Sequence, residues 1–131
     1  MDNDTEYEKF GQYYPQLIRR SFLLSLYAFC EAYTRKGMLL QQYETSRIKD
    51  IRDVLAHCQG GLDREGDRDK NRPKRIREYV KKTTGIKING SNEILIEKRF
   101  CKHVIRVFKN YFKVYFEGQI DKVYSKSRAR E

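Results

Sequence analysis

Tryptophan is absent from this sequence, proline occurs only twice and cysteine only three times. An odd number of cysteines, with Cys30, Cys58 and Cys101 far apart, argues against a disulfide framework of the kind that staples small secreted domains. Two of them lie in apolar helical surroundings, where free thiols pack as small hydrophobes. No run of about 18 apolar residues exists, so no segment is long enough to cross a bilayer as a helix, and no membrane partner is expected. The opening residues Asp2, Asn3, Asp4 and Glu6 lack the basic stretch followed by an apolar one that marks a signal peptide, which makes the cytoplasm the expected location. Acidic residues are the scarcer charge, 18 against 28 lysines and arginines, leaving a formal net charge of +10. A field of that sign suits a polyanionic partner: nucleic acid first, an anionic membrane surface second, with solubility alone as the plain reading.

What is present describes a globular chain. Hydrophobic residues make up 39% and charged residues 35% of 131 positions, enough for one core with a heavily charged surface. From Pro15 to about Tyr43, Leu17, Ile18, Phe22, Leu24, Leu26, Tyr27, Phe29, Cys30, Tyr33, Met38 and Leu39 recur at three- and four-residue spacing. This predicts a long helix with Pro15 in its first turn and Gly37 placed to bend its end. The part from Phe22 to Cys30 is apolar on nearly every side, so it should be buried in a bundle or covered by another subunit.

Thr45 or Ser46 is placed to cap a second helix, whose stripe of Ile48, Ile51, Val54 and Leu55 faces inward while Arg47, Lys49 and Asp50 face water. That helix should stop at Gly60 and Gly61. The charge-dense stretch from Asp63 to Arg72 reads as a loop, and a short helix restarts at Pro73. Ile86 to Ile88 and Ile94 to Ile96 flank a turn of Asn89, Gly90, Ser91 and Asn92, the pattern of a hairpin. Phe100, Val104, Phe108, Phe112 and Phe116, joined by Ile105, Tyr111, Tyr115, Ile120 and Val123, predict a second long helix with a basic outer face. The fold class is therefore mainly α: two long helices, shorter ones and a small β-hairpin insertion. Residues 1–14 read as an N-terminal extension, 15–124 as the helical domain and 125–131 as a frayed basic tail.

Cleaving RNA without a metal requires a group that moves protons near neutral pH and a fixed cation for the phosphate, tasks suited to histidine and arginine. Arg52 and His57, separated by four residues near the end of the second helix, supply one of each. Five helical steps set them about 140° apart around the axis, so an unwound helix end or a second subunit must bring them to one phosphate. Asp53, four residues before His57, is placed to orient the imidazole. Glu31, amid Phe29, Cys30, Ala32 and Tyr33, either pairs with Arg52 or faces water. Tyr27, one turn before it, lines the same place or belongs to the core.

An arginine, four to six intervening residues and a histidine, with a polar residue directly after the arginine, resembles the motif of the HEPN superfamily of helical ribonucleases and nucleotide-binding domains. Tyr27, Ala28, Phe29, Cys30, Glu31, Ala32 and Tyr33 resemble the first-helix segment of its toxin-like branch, and the likeness runs from about Ile18 to Phe116. The resemblance implies a homodimer of helical bundles with two Arg52 and two His57 side chains meeting across a cleft. It also implies a metal-independent endoribonuclease without cofactor, of toxin or phage-defence type, with an antitoxin or a companion defence protein as a further partner. The alternative it allows is a non-catalytic HEPN-like module that binds RNA, a nucleotide or a partner protein.

The basic residues Lys70, Arg72, Lys74, Arg75, Arg77, Lys81 and Lys82 are expected to track an RNA backbone, or else to form a solvated face. Lys98, Lys102, Lys109 and Lys113 form a sparser basic row. His103 has no partner at zinc-like spacing and reads as structural, leaving no metal site. A duplex-DNA regulator would need a recognition helix after a short turn, and the long apolar helices fit that poorly.

Overall fold

Apolar residues at helical spacing meet from three directions, and a short hairpin closes the core they form. In the computed structural model, which describes residues 2–34, 42–62 and 69–129, the elements run α1 (Asp2–Ala32), α2 (Tyr43–His57), α3 (Arg72–Lys82), β1 (Ile86–Ile88), β2 (Ile94–Ile96) and α4 (Lys98–Ala129). The chain is thus mainly helical with a two-stranded antiparallel sheet. Leu23, Tyr27 and Cys30 of α1, Ile48, Ile51, Val54 and Leu55 of α2, and Phe100, Val104, Phe108 and Tyr111 of α4 are buried together with Ile76 and Tyr79 of α3, and Ile86, Ile94 and Ile96 of the hairpin, with Cys58 and Leu62, complete the cluster. Tyr27 meets Phe108 edge to face at 6.0 Å, and Tyr79 meets Phe100 at 6.3 Å. Among the described residues no helix is long and apolar enough to cross a membrane.

Several expectations need correction. Helix α1 begins at Asp2, so Pro15 lies inside it rather than in its first turn. A proline there deletes one backbone hydrogen bond, and the helix continues through it. At the other end α1 stops at Ala32, where Thr34 Oγ1 donates to the Cys30 carbonyl at 3.1 Å. The expected continuation through Gly37, Met38 and Leu39 falls in 35–41, outside the described residues, as does most of the expected loop, at 63–68. Helix α2 starts at Tyr43 behind an extended Gln42, and neither Thr45 nor Ser46 caps it. Thr45 is instead an interior residue of the first turn, fully buried, with Oγ1 donating to the Gln42 carbonyl. Helix α4 runs to Ala129, through most of the basic tail.

Helix α2 ends at His57, and Gln59 and Gly60 turn the chain with φ of 54° and 86°. The following residues join the hairpin: Ile94 donates to the Gly60 carbonyl and Leu62 to the Asn92 carbonyl. The strands pair as Ile86 with Ile96, Lys87 with Leu95 and Ile88 with Ile94. In the turn, Asn89 Oδ1 accepts from the Ser91 and Glu93 amides, each at 2.9 Å, a side-chain substitute for a backbone turn bond. At Ile96 the strand is tied to α1: the Gln16 side chain donates to its carbonyl at 2.8 Å and accepts from its amide at 2.9 Å. Arg20 of α1 reaches the Gln59 and Ile94 carbonyls as well. These bonds satisfy backbone groups that a short strand would otherwise expose.

Gly85 precedes β1 with φ of 89°, and a Cβ there would lie 2.6 Å from the Phe100 amide nitrogen. Both the left-handed backbone and the contact with main chain exclude a side chain. Gly85→Ala should therefore cost about 2–4 kcal/mol, read as a lower urea midpoint at unchanged m. A midpoint equal to that of the parent would contradict this packing.

Cys30 and Cys58 are buried free thiols and Cys101 is half-buried. Burial pushes the Cys30 thiol up to about 11. At pH 8 the native protein should thus be alkylated at Cys30 on the order of 100-fold more slowly than an unperturbed thiol, measured by mass spectrometry of the labelled peptide. Equal rates in native and denatured protein would count against it.

The expectation of all-round burial from Phe22 to Cys30 is met by the bundle only on one side. Phe22 and Phe29 remain exposed, as do Ile18 at 64% and, on α4, Phe116, Ile120 and Val123 at 49% to 66%. Ile18, Phe22 and Phe29 fall on one stripe of α1, and Phe116, Ile120 and Val123 on one stripe of α4, by their spacing of three, four or seven.

Candidate active site

Arg52 leaves α2 and crosses to α1. Its guanidinium carbon lies 4.7 Å from the centroid of the Tyr27 ring, within cation–π range. One nitrogen, Nη2, is 3.7 Å from Glu31 Oε2 and Nε is 3.0 Å from Asp53 Oδ1. Tyr27 and Glu31 stand one turn apart on α1, so a single helix face provides both the ring and a carboxylate. The pairing expected for Glu31 is therefore made, and its side chain also meets water, being 54% exposed. Arg52 itself is held at the surface boundary, its side chain 24% exposed.

Tyr27 is buried, and that burial, reinforced by the charge of Glu31 and opposed by Arg52, pushes its phenol up to about 12. The hydroxyl stays protonated at neutral pH, which makes the ring a platform for the guanidinium rather than a base.

Asp53 sits differently from its expected role. Its carboxylate is buried and accepts from Lys49 Nζ at 2.8 Å while Arg52 and Arg72 stand at 3.0 and 3.3 Å. It does not hold the imidazole of His57, which makes no hydrogen bond or ion pair with any described residue and is exposed at the last position of α2. The i, i+4 geometry permits that contact, but three cations compete for the same two oxygens.

Asp50, expected to face water, is also buried. Arg75 donates to it from Nε at 3.0 Å and from Nη2 at 2.9 Å, a two-pronged pair, with Arg47 at 3.4 Å and Arg72 at 3.7 Å. Asp69 accepts from Arg75 at 2.6 Å. Helices α2 and α3 are thus clamped by charge as well as by the contacts of Ile76 and Tyr79.

The clamp divides the expected RNA-tracking residues. Arg72 and Arg75 are engaged with carboxylates, and Arg77 is half-buried with Nη2 3.4 Å from Asn92 Oδ1. Lys70, Lys74, Lys81 and Lys82 are exposed, and Lys74 and Lys81, seven residues apart, lie on one face of α3. Among the expected site residues, Tyr27, Glu31, Arg52 and Asp53 come together, and His57 stands apart from them at the end of the same helix.

One cluster was missed by sequence reasoning. Glu44 Oε2 accepts from the Tyr79 hydroxyl at 2.8 Å and lies 3.3 Å from His103 Nε2, joining residues up to 59 positions apart. The basic neighbours Lys81–Lys82 and Lys102 were visible signals, but a search for metal-ligand spacing passes over a histidine whose partner is a distant carboxylate.

No protein-family model matches the chain, and no curated protein or solved structure is detectably similar to it.

Proposed function

We propose that this protein is a metal-independent endoribonuclease of the HEPN type, acting as a homodimer in a toxin or phage-defence setting. The observation that carries the proposal is Arg52: a guanidinium fixed by a ring and two carboxylates at the surface boundary, on the helix that ends in the exposed His57, which is bonded to no described residue. In the reaction, one His57 takes the proton of the 2′-hydroxyl as its oxygen attacks phosphorus. The bond from phosphorus to the 5′-oxygen breaks, and the second subunit's histidine protonates that leaving oxygen. Arg52 stabilises the charge that builds on the phosphoryl oxygens. The products are a 2′,3′-cyclic phosphate and a 5′-hydroxyl.

Two copies supply the acid and the base at once and relieve the angular separation of Arg52 from His57 on one helix. The uncovered apolar stripes on α1 and α4 support such a pairing. Lys70, just before α3, and Lys74 and Lys81 on it are exposed cations placed to follow an RNA backbone. A toxin of this kind would have an antitoxin or a companion defence protein as partner.

One observation favours the second reading, a non-catalytic module binding RNA, a nucleotide or a protein: His57 has no orienting carboxylate among the described residues. Purified protein incubated with RNA in excess chelator separates the two. Fragments ending in cyclic phosphate, from a species with twice the 15.8 kDa chain mass, are the expected result. Intact RNA, or cleavage unchanged in Arg52→Ala or His57→Ala, would refute the nuclease.

A further inference from the structure

A second charged site lies at the far end of α2. Glu44 and His57 are 13 residues apart on that helix, which separates them by about 20 Å along its axis. Beside Glu44, a cleft of about 380 Å³ opens between the first turn of α2, the end of α3 and the first turns of α4. Its walls carry Lys82, Thr83 and Thr84 from one side and Lys102, His103 and Arg106 from the other.

The carboxylate in this cleft is already committed. Glu44 Oε2 receives the hydroxyl of buried Tyr79 and faces His103 Nε2, while the His103 ring also packs on Phe100 at 6.0 Å. The imidazole is therefore held in place by a carboxylate on one side and an aromatic ring on another. The cations are not committed. Lys82, Lys102 and Arg106 have no carboxylate within 4.0 Å among the described residues, whereas Arg99, at the rim, is engaged by Glu97 at 2.8 Å. This is the reverse of the α2–α3 clamp, where the arginines meet aspartates.

Three unneutralised cations around one occupied carboxylate leave a surplus of positive charge in a concave site, and a polyanion relieves it. The volume is at the small end of ligand sites, enough for a compact molecule and too little for a folded polymer segment. Lysines supply point charges, an arginine supplies a forked donor, and the Thr84 hydroxyl completes a donor-rich wall whose lining has no large aromatic ring to stack a base. A phosphate monoester, dianionic near neutral pH, matches that set better than a singly charged diester.

We infer that this cleft binds the phosphate monoester group of a small organic phosphate, with Lys82, Lys102 and Arg106 as its cations, Thr84 as a hydrogen-bond donor, and His103, positioned by Glu44, as the ring beside the bound group. The assignment is independent of the Arg52–His57 reading.

The sequence contains only two histidines, and each site holds one of them. Ring resonances of His57 and His103, assigned with His57→Gln, therefore report separately on the two places. Inorganic phosphate, ribose 5-phosphate, a nucleoside 5′-monophosphate and the bare nucleoside are titrated at fixed pH and ionic strength. Saturable shifts of His103 are expected with the phosphate-bearing compounds and none with the nucleoside. Inorganic phosphate acting alone marks the phosphate as sufficient, while a requirement for the ester marks recognition of the attached sugar, and both agree with the inference. Lys102→Ala combined with Arg106→Ala should weaken binding at least tenfold, and Lys113→Ala, an exposed charge elsewhere on α4, should not. Absence of a saturable His103 shift, or equal weakening by Lys113→Ala, would overturn the site. Shifts confined to His57 would place phosphate at the other end of α2, overturning this inference while leaving the nuclease proposal standing.

Discussion

Asp50→Asn is expected to lower the free energy of unfolding by about 2–4 kcal/mol, a fall in Tm of about 10 °C for a chain of this size. The substitution preserves shape and removes only the charge. What it leaves behind is Arg75, which donates twice to Asp50, and Arg72 and Arg47 within ion-pair distance, three cations that lose the carboxylate they share although Asp69 still pairs with Arg75 and Asp53 with Arg72. The assembled clamp is not worth that much in itself, because taking charges from water offsets most of their attraction. Removing one member is costly because the rest stay where packing holds them. The side chains of Arg72 and Arg75 are 15% and 31% exposed, so solvent screens part of the loss and keeps it below the range of a fully buried pair. Asp50→Asn with Arg75→Gln should recover part of the stability, a coupling that a double-mutant cycle reads directly. A single-variant change below about 0.5 kcal/mol, typical of a surface position, would show the clamp to be ornamental.

Arg75 also holds the Asp69 carboxyl below its ordinary value, chiefly through their hydrogen bond. With the folded value depressed, the contribution of Asp69 is complete above the unfolded carboxylate value and is lost as pH falls through the folded one. Arg75→Gln should flatten that part of the acid limb.

The features legible in the sequence are those written locally. The hairpin strands lie where the isoleucine runs around Asn89 and Gly90 place them, since a two-residue period and turn chemistry are contained within a dozen positions. The stripe of α2 and the four-residue recurrence from Phe100 are equally local. Asp50 was read outward because a charge on an amphipathic helix normally is, and the partners that bury it come from α3, Arg75 lying 25 residues away. Pro15 suggested a helix start because proline is favoured in a first turn, yet Gln16 and Arg19 anchor that part of α1 to the Ile96 backbone some 80 positions on. At the candidate site, Glu31 with Arg52 was legible as a carboxylate needing a partner. The capture of Asp53 by Lys49, Arg52 and Arg72 was not, because helical spacing offers His57 and is silent about α3.

His57→Ala is expected to abolish RNA cleavage, by a factor of about 10²–10⁴, and to change stability by less than about 0.5 kcal/mol. The two effects separate because the imidazole is exposed and bonded to no described residue, so the fold loses nothing with it. Arg52 should behave otherwise. Arg52→Lys keeps the charge but loses the planar fork that reaches Glu31 and Asp53 while stacked on Tyr27, so both cleavage and stability fall, the latter by about 1 kcal/mol. Tyr27→Phe keeps the ring and discards a hydroxyl that stays protonated at neutral pH, and should retain cleavage within a few-fold. Mixing Arg52→Ala with His57→Ala protein then tests the proposed composite site, since a mixed dimer keeps one arginine and one histidine on different chains. That dimer has a single histidine and lacks either the acid or the base, so partial activity regained on mixing already puts the pair across the subunit boundary. A purified heterodimer of the parent with a chain carrying both substitutions holds the same single arginine and histidine on one chain, and more cleavage from it than from the mixed variants would instead require Arg52 and His57 of the same chain to meet at the end of α2.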